Sequence, residues 1–243
     1  MLKIPKIIHQ VWEGKREPLP EVLARLGETW RELHPDWEYI CWDAKRMEAF
    51  IQEHYPEYWN LYNELPYNVQ RWDVFRYMLL YKIGGMYVDF DYECLSSMEE
   101  VLDNKNCCLG LEPAGHVTFS GKKILIGNAL MASTPLHPFM YKLLEHSFLP
   151  VECDKNNKFL YVLNTTGPYM LTNVYDTYAD NSSIYLLPAE LTSPLTKYEI
   201  TQFVNKTIDQ EYLDKKLENA IAIHLYFGTW LMNNESIRYN LKG

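Results

Sequence analysis

Residues 71–95, RWDVFRYMLLYKIGGMYVDFDYECL, constrain the fold more than any other stretch. A helix with a broad apolar face (Val69, Trp72, Phe75, Tyr77, Leu79, Leu80) runs into Gly84-Gly85, which stops it, and a short apolar strand follows at once. A helix that hands over directly to a buried strand belongs to a layered α/β protein. The strand ends in Asp89 and Asp91, with Glu93 close behind. In extended chain, residues i and i+2 point to the same side, so the two aspartates converge if the strand continues through both. Such a pair repels and raises its own pKa values unless a cation sits between them. A hard ion such as Mg²⁺ or Mn²⁺ takes oxygen ligands, and Mg²⁺ is typically held by one or two carboxylates plus substrate phosphates. In open α/β sheets the ligand crevice lies at the carboxyl ends of the strands, where this pair falls. A solvated acidic turn would carry the same letters, so D-x-D alone leaves both readings open.

The helix upstream adds a second element. Asp73 and Arg76 are three residues apart and share one helix face. Arg76 offers a planar donor fork to phosphate or sugar oxygens, and Asp73 accepts from sugar hydroxyls. The alternative is a local ion pair on a solvated face. Trp72, Phe75 and Tyr77 weaken it by surrounding the pair with apolar bulk.

The rest of the first half fits the same layered plan. KIIHQVW reads as a first strand, LPEVLARLGETWRELHP as a helix burying Leu23, Leu26, Trp30 and Leu33, WEYICWD as a strand and AKRMEAFIQEHY as a helix. Alternation of this kind predicts a largely parallel sheet with helices on its faces. In the second half CCLGLEP and ILIGNALMAS read as strands, and PLHPFMYKLLEHSF and TGPYMLTNVYDTY as helices. IYLLPAELTSPL begins as a strand and breaks at prolines, and AIAIHLYFGTW reads as a late buried strand entering a turn. No linker, repeat or low-complexity tract divides the chain, so residues 1–243 form one expected domain.

Composition excludes several classes. Hydrophobic residues at 47% and charged residues at 23% rule out wholesale disorder. A net charge of −9 argues against a nucleic-acid partner, which calls for a basic face. The 19 Tyr and 7 Trp suit sugar and base stacking as well as core packing. Five cysteines without a C-x-x-C pattern predict reduced thiols and a cytoplasmic location. The N-terminal MLKIPKIIHQVW is too short and polar for a signal peptide, and no apolar run is long enough to span a membrane. The N-x-[ST] sequons at Asn164, Asn181, Asn205 and Asn234 are then chance matches.

Taken together, IPKIIHQVW and RWDVFRYMLLYKIGGMYVDFD resemble the D-x-D glycosyltransferases of family 32. The likeness continues through GNALMAS, HPF, TGPYMLT and HLYFGTW, and so covers nearly the whole chain. D-x-x-R-Y followed by L-Y-x-x-G-G and Y-x-D-x-D is far more specific than D-x-D. One departure is Trp72, where family members commonly carry a small residue, and it bears on the shape of the sugar pocket.

The resemblance implies a GT-A fold, a nucleotide-diphosphate sugar as donor, and retention at the anomeric carbon. It implies Mn²⁺ or Mg²⁺ at Asp89 and Asp91, with His224 able to reach the metal or diphosphate. It implies that Asp73 and Arg76 hold the donor sugar, that Asn128 lies near it, that Trp12 stacks on the nucleobase and that Trp230 caps the donor. Asp73, Arg76, Asp91 and Asn128 are the expected catalytic group. By spacing alone, Trp12 reads equally as a core residue, Asn128 as a turn residue and His224 as a satisfied core histidine. No residue stands out as a nucleophile for double displacement, so family analogy points to same-face substitution. The expected acceptor is a glycan or glycolipid, in surface polysaccharide synthesis, which leaves room for a peripheral membrane contact. The rival classes are a non-catalytic carbohydrate-binding protein and a metal phosphohydrolase. Tyr92 after Asp91, and the late position of the motif, disfavour the phosphohydrolase.

Overall fold

The computed structural model describes residues 3–15 and 17–230. The sequon at Asn234 and the residues after Trp230 lie outside them. From the N-terminus the chain forms β1 (Ile7–Val11), α1 (Glu21–Leu33), β2 (Glu38–Trp42), α2 (Ala44–His54), α3 (Trp59–Glu64) and α4 (Asn68–Lys82). It continues through β3 (Gly85–Val88), β4 (Tyr92–Cys94), α5 (Glu99–Leu102), β5 (Cys107–Leu111), α6 (Ala114–Ser120) and β6 (Ile126–Ser133). Then come α7 (Pro138–His146), α8 (Lys158–Thr165), α9 (Pro168–Thr177), β7 (Ile184–Leu187), α10 (Ala189–Thr192), α11 (Lys197–Val204), α12 (Gln210–Leu217) and β8 (Ala222–His224).

Six strands form one sheet in the order β2-β1-β3-β6-β5-β7. β1 pairs in parallel with β2 and β3, and β5 in parallel with β7. β6 runs antiparallel to both its neighbours, so five strands point one way and β6 the other. The sheet is therefore mostly parallel, as expected. The opposed strand arises because the short connection through α6 brings the chain straight back beside β5. The carboxyl ends of the five co-directed strands and the amino end of β6 thus share one edge. Trp12, Asp89, Glu112 and Asn128 all fall there.

Alternation along β3 divides the core between the two faces of the sheet. Tyr87 joins Phe75, Met78 and Leu79 of α4 with Phe139 and Leu143 of α7 and Leu171 of α9. Met86 and Val88 join Ile8, Trp30, Cys108 and Leu130 on the opposite face. A third cluster gathers Leu23, Leu26 and Phe90 with Leu195, Ile200, Leu213 and Ile223. Leu33, expected in the α1 core face, is instead exposed beside the helix end.

The α4–β3 junction explains the paired glycines. Gly84 and Gly85 have φ of +73° and +94°, a region side chains avoid. A Cβ on Gly85 would also stand 2.7 Å from the Ile7 carbonyl oxygen. His9 closes this turn. Trp42 Nε1 donates to its Nδ1, so its Nε2 carries the proton and donates to the Gly84 carbonyl at 3.0 Å. Burial lowers the His9 pKa to about 4, against the pull of that bond, and keeps the ring neutral.

Three expectations are corrected here. The β3 strand stops at Val88 rather than running through both aspartates. Asp89 donates its N–H to Ala129, and Tyr92 N–H turns back to the Asp89 carbonyl at 3.2 Å, so Asp89 to Tyr92 form a tight turn. The late strand is only Ala222–His224 and pairs with β4 in a separate two-stranded ribbon, not with the main sheet. Helices α3, α6, α8, α11 and α12 were not expected, because their short apolar patterns only gain direction from the surfaces they cover.

Candidate active site

Every site residue expected from the sequence lines one cavity of about 740 Å³ at the shared strand edge: Trp12, Asp73, Arg76, Asp89, Asp91, Asn128, His224 and Trp230. The site is built first from α4, whose Asp73 and Arg76 side chains are about 5% exposed. Their terminal atoms meet at 3.2 Å as an i,i+3 ion pair, but within the protein rather than on a solvated face. Asp73 also accepts from Asn128 Nδ2 at 2.9 Å and from Thr166 Oγ1 at 2.8 Å. Burial raises its pKa to about 6, with Arg76 and these hydrogen bonds pulling the other way.

Arg76 is the centre of the polar network. It donates to the Asn128 carbonyl at 2.6 Å, lies 3.4 Å from Asp89, and places its guanidinium 4.5 Å from the centroid of the Tyr87 ring. Burial alone would lower its pKa, but Asp89, Tyr87 and Asp73 outweigh burial and hold it charged. The Tyr87 hydroxyl donates to Asp89, two residues along the chain. Asn128 completes the loop by donating to both Asp73 and the Tyr77 hydroxyl.

The second carboxylate is held differently. Asp91 accepts from the Phe227 N–H at 3.0 Å and faces His224 Nε2 at 3.4 Å. Burial raises the Asp89 pKa, Arg76 opposes, and the Asp91 charge pushes it further up. For Asp91 the His224 charge and hydrogen bonds overcome burial and hold it low. In return, Asp91 overcomes burial and raises the His224 pKa. His224 is stacked on Tyr92 at 4.3 Å and packs tilted against Tyr226 at 3.8 Å, and its Nδ1 is buried without a partner. No group of three or more His, Cys, Asp or Glu is assembled to hold a metal among the described residues. Asp89, Asp91 and His224 nonetheless line the same cavity. As placed, the His224 ring faces Asp91 and pairs with it when protonated.

The two expected aromatics sit on the cavity walls. Trp12 is half-buried, donates to the Glu17 carbonyl at 3.0 Å and packs edge-on against Phe90. Trp230 lies parallel to Phe159 with ring centroids 6.0 Å apart, and Lys158 donates to its carbonyl. Trp72, the departure from the family pattern, lines the same cavity.

Sequence reasoning missed several groups. Tyr87 could have been found, since i and i+2 spacing puts it beside Asp89. Thr166 is the first residue of the quoted TGPYMLT stretch, but its partner Asp73 is 93 residues away. Glu112, His116 and Tyr226 meet only in the fold. Glu112 accepts from His116 Nδ1 at 2.8 Å and from the Tyr226 hydroxyl at 3.0 Å. Burial opposes its ionisation, but these bonds and the His224 charge hold its pKa low.

A mostly parallel sheet with a D-x-D turn at its carboxyl edge, beside a buried Asp-Arg pair, defines a sugar-nucleotide transferase fold. Residues 20–108 match the family described as the glycosyltransferase sugar-binding region containing the DXD motif. It is 32% identical over 197 residues to inositol phosphoceramide mannosyltransferase 1 of Schizosaccharomyces pombe, covering 79% of this chain and 58% of that protein. It is 28% identical to mannosyl phosphorylinositol ceramide synthase SUR1 of Saccharomyces cerevisiae, over 97% of this chain and 61% of that protein. The chain spans about half the length of the curated relatives it matches. Among solved structures, the UDP-bound glycosyltransferase domain from the YGT toxin superposes with a TM-score of 0.53 at 9% identity, covering 88% of each chain. At that identity the likeness is one of fold, and it supports the GT-A assignment.

Proposed function

We propose that this chain is a metal-dependent glycosyltransferase that moves a hexose from a nucleoside-diphosphate sugar to a hydroxyl of a glycolipid, with retention at the anomeric carbon. The observation that carries the reading is the closed Asp73–Arg76–Asn128–Asp89 network facing a cavity large enough for a nucleotide sugar. Mannose is the sugar favoured, because the relatives' names describe mannosyl transfer to inositol phosphoceramides. The headgroup of such an acceptor is a polyol phosphate, and it sits at a lipid surface. No helix among the described residues is long and apolar enough to cross a membrane.

The donor set fits a hard divalent cation. Two carboxylates stand close enough for one charge to raise the other's pKa, and their oxygens suit Mg²⁺ or Mn²⁺. Asp89 and Asp91 would hold the ion together with the donor phosphates. Bound there, it supplies Lewis-acid neutralisation of the departing diphosphate. The protein's own part is positioning and electrostatics. Arg76, buried and fixed by three acceptors, places a permanent positive charge where negative charge builds on the leaving group. Asp73 stays ionised near neutral pH and accepts from a sugar hydroxyl or holds Asn128 in register to do so. The five cysteines are all unpaired, which supports a reducing compartment such as the cytoplasm.

The test is a melting-temperature panel with GDP-mannose, UDP-glucose, UDP-galactose and UDP-N-acetylglucosamine, each with and without Mn²⁺, followed by transfer to inositol phosphoceramide vesicles. A ligand that binds only the native state raises apparent stability by RT ln(1 + [L]/Kd). GDP-mannose with Mn²⁺ is expected to give the largest rise and to support turnover. Binding without turnover would favour the carbohydrate-binding alternative, and no stabilisation by any donor would sink the reading.

A further inference from the structure

Glu112 closes β5 at the cavity edge, just past a break in the pairing of β5 with β6. Its side chain is only about 10% exposed, and that small opening is to the cavity it lines. One oxygen is fully committed. Lys197 N–H donates to His116 Nε2 at 3.1 Å, so the proton of that ring sits on Nδ1 and goes to Glu112 Oε2. The Tyr226 hydroxyl donates to the same Oε2 at 3.0 Å. The other oxygen, Oε1, accepts no hydrogen bond among the described residues.

The surroundings are shaped around that free oxygen. It lies over Gly127, where an added Cβ would come within 2.5 Å of it. Gly127 precedes Asn128, so the carboxylate neighbours the polar network without belonging to it. Tyr226 links the two, its ring 4.9 Å from His116 on one side and 3.8 Å from His224 on the other. Tyr226 has a φ of +48°, an uncommon conformation for a side-chain residue. An ionised carboxylate is acceptor-only, so its natural ligand is a hydroxyl donor. Aromatic rings beside it give the apolar face that a sugar or cyclitol ring packs against.

We infer that Glu112, oriented by His116 and Tyr226 and given room by Gly127, forms a polyol subsite in which Oε1 accepts a hydrogen bond from a hydroxyl of the acceptor. The assignment to the acceptor rests on the proposed transfer reaction, in which Asp73, Arg76 and Asn128 serve the donor from the other wall. Glu112 here binds and orients; no proton transfer is assigned to it.

The subsite is testable without turnover. Saturation-transfer NMR with myo-inositol as the probe is expected to show binding to the parent in the millimolar range. Glu112→Gln removes the charge and turns one acceptor into a donor, and should weaken the probe at least tenfold. Gly127→Ala keeps the carboxylate but displaces it, and should do the same if Glu112→Gln fails to fold. Asp73→Asn should leave the probe's affinity within about twofold. A parent that does not bind myo-inositol, or a Glu112→Gln protein that binds it like the parent, overturns the subsite. So does a loss in Asp73→Asn equal to that in Glu112→Gln, which places the hydroxyl on the donor wall. If the probe binds through Glu112 while no nucleotide sugar stabilises the protein, the subsite stands and the transfer reading falls.

Discussion

The two walls of the cavity are held in different ways. On one, Asp73, Arg76, Asn128 and Asp89 satisfy each other through hydrogen bonds and ion pairs, on a buried helix, a central strand and the turn that follows another. On the other, His224, Tyr226 and Trp230 depend on ring stacking and on left-handed backbone at Tyr226 and Gly228. Local opening is cheapest where buried apolar contacts and backbone hydrogen bonds are fewest. Trp230 joins none of the core clusters, whereas Phe75 and Tyr77, on either side of Arg76, sit deep in one. On the proposed function, the first wall is therefore the rigid template that takes the donor. The second is the part able to rearrange when substrate enters, which suits a site that must exclude water.

The largest expected effect comes from the seam where the walls meet. Asp91 belongs to the D-x-D turn, yet its partners Phe227 and His224 belong to the closing segment. Asp91→Asn should cut transfer by about 10³-fold or more, as removal of a metal ligand does. EDTA should do the same to the parent, and Mn²⁺ should restore the parent only. Full activity in EDTA would remove the cation from the mechanism.

A smaller loss is expected from Arg76→Lys, which keeps the charge but loses the planar fork between the Asn128 carbonyl, Asp73 and Asp89. Transfer should fall by about 10²-fold. Arg76→Ala should also lower stability by about 3–5 kcal/mol, because it leaves buried carboxylates without a counter-charge. If Arg76→Lys transfers sugar at the parental rate, the first wall is structural and the donor is held elsewhere.

The difference between the walls also decides what the sequence could reveal. The first wall was legible because its chemistry sits on local spacings: i,i+3 for Asp73 and Arg76, i,i+2 for Asp89 and Asp91, and glycines that require positive φ at 84 and 85. The mostly parallel sheet followed from the alternation of strands and helices. The turn at Asp89 was not legible, because the apolar pattern of MYVDFD fits a longer strand and only pairing of Tyr92 with His224 ends it. The Glu112 cluster was not legible as a whole, since Tyr226 lies 114 residues from Glu112 and only the fold brings it to the Glu112–His116 pair. The pairing of His224 with Asp91 was not legible for a related reason. Its ion pair with Asp91 depends on a two-stranded ribbon that no periodicity announces.

The first wall should also show itself in pH dependence. The folded pKa of Asp73 is raised from 3.8 to about 6, mainly by burial. Its protonated form is favoured in the folded state, so its contribution to stability is full below pH 3.8 and is lost as pH rises through about 6. At about 1.4 kcal/mol per pH unit the loss is about 3 kcal/mol. Activity should move in the opposite sense, falling below pH 6 as Asp73 takes up a proton and stops accepting from its partners. Asp73→Asn has no such group. The parent minus Asp73→Asn stability difference should therefore fall between pH 4 and pH 7 in denaturant titrations. A flat difference would mean that Asp73 ionises at its ordinary pKa.

The smallest effect is expected on the second wall, at Trp230. Its ring lies parallel to Phe159, which is itself 37% exposed, so the contact is a surface stack rather than a core one. An aromatic pair of that kind contributes about 0.5–1.5 kcal/mol beyond its buried area. Trp230→Ala should therefore lower the melting temperature by only a few degrees. Its effect on chemistry should be clearer. With the ring gone, water gains access to the activated sugar, and the acceptor hydroxyl loses the advantage that closure gives it. The ratio of donor hydrolysis to transfer should rise several-fold, and donor KM should rise with it, while Arg76→Lys leaves that ratio unchanged. Hydrolysis, transfer and melting measured on one preparation separate the two roles. A large stability loss with an unchanged ratio would make Trp230 a packing residue and leave the second wall as rigid as the first.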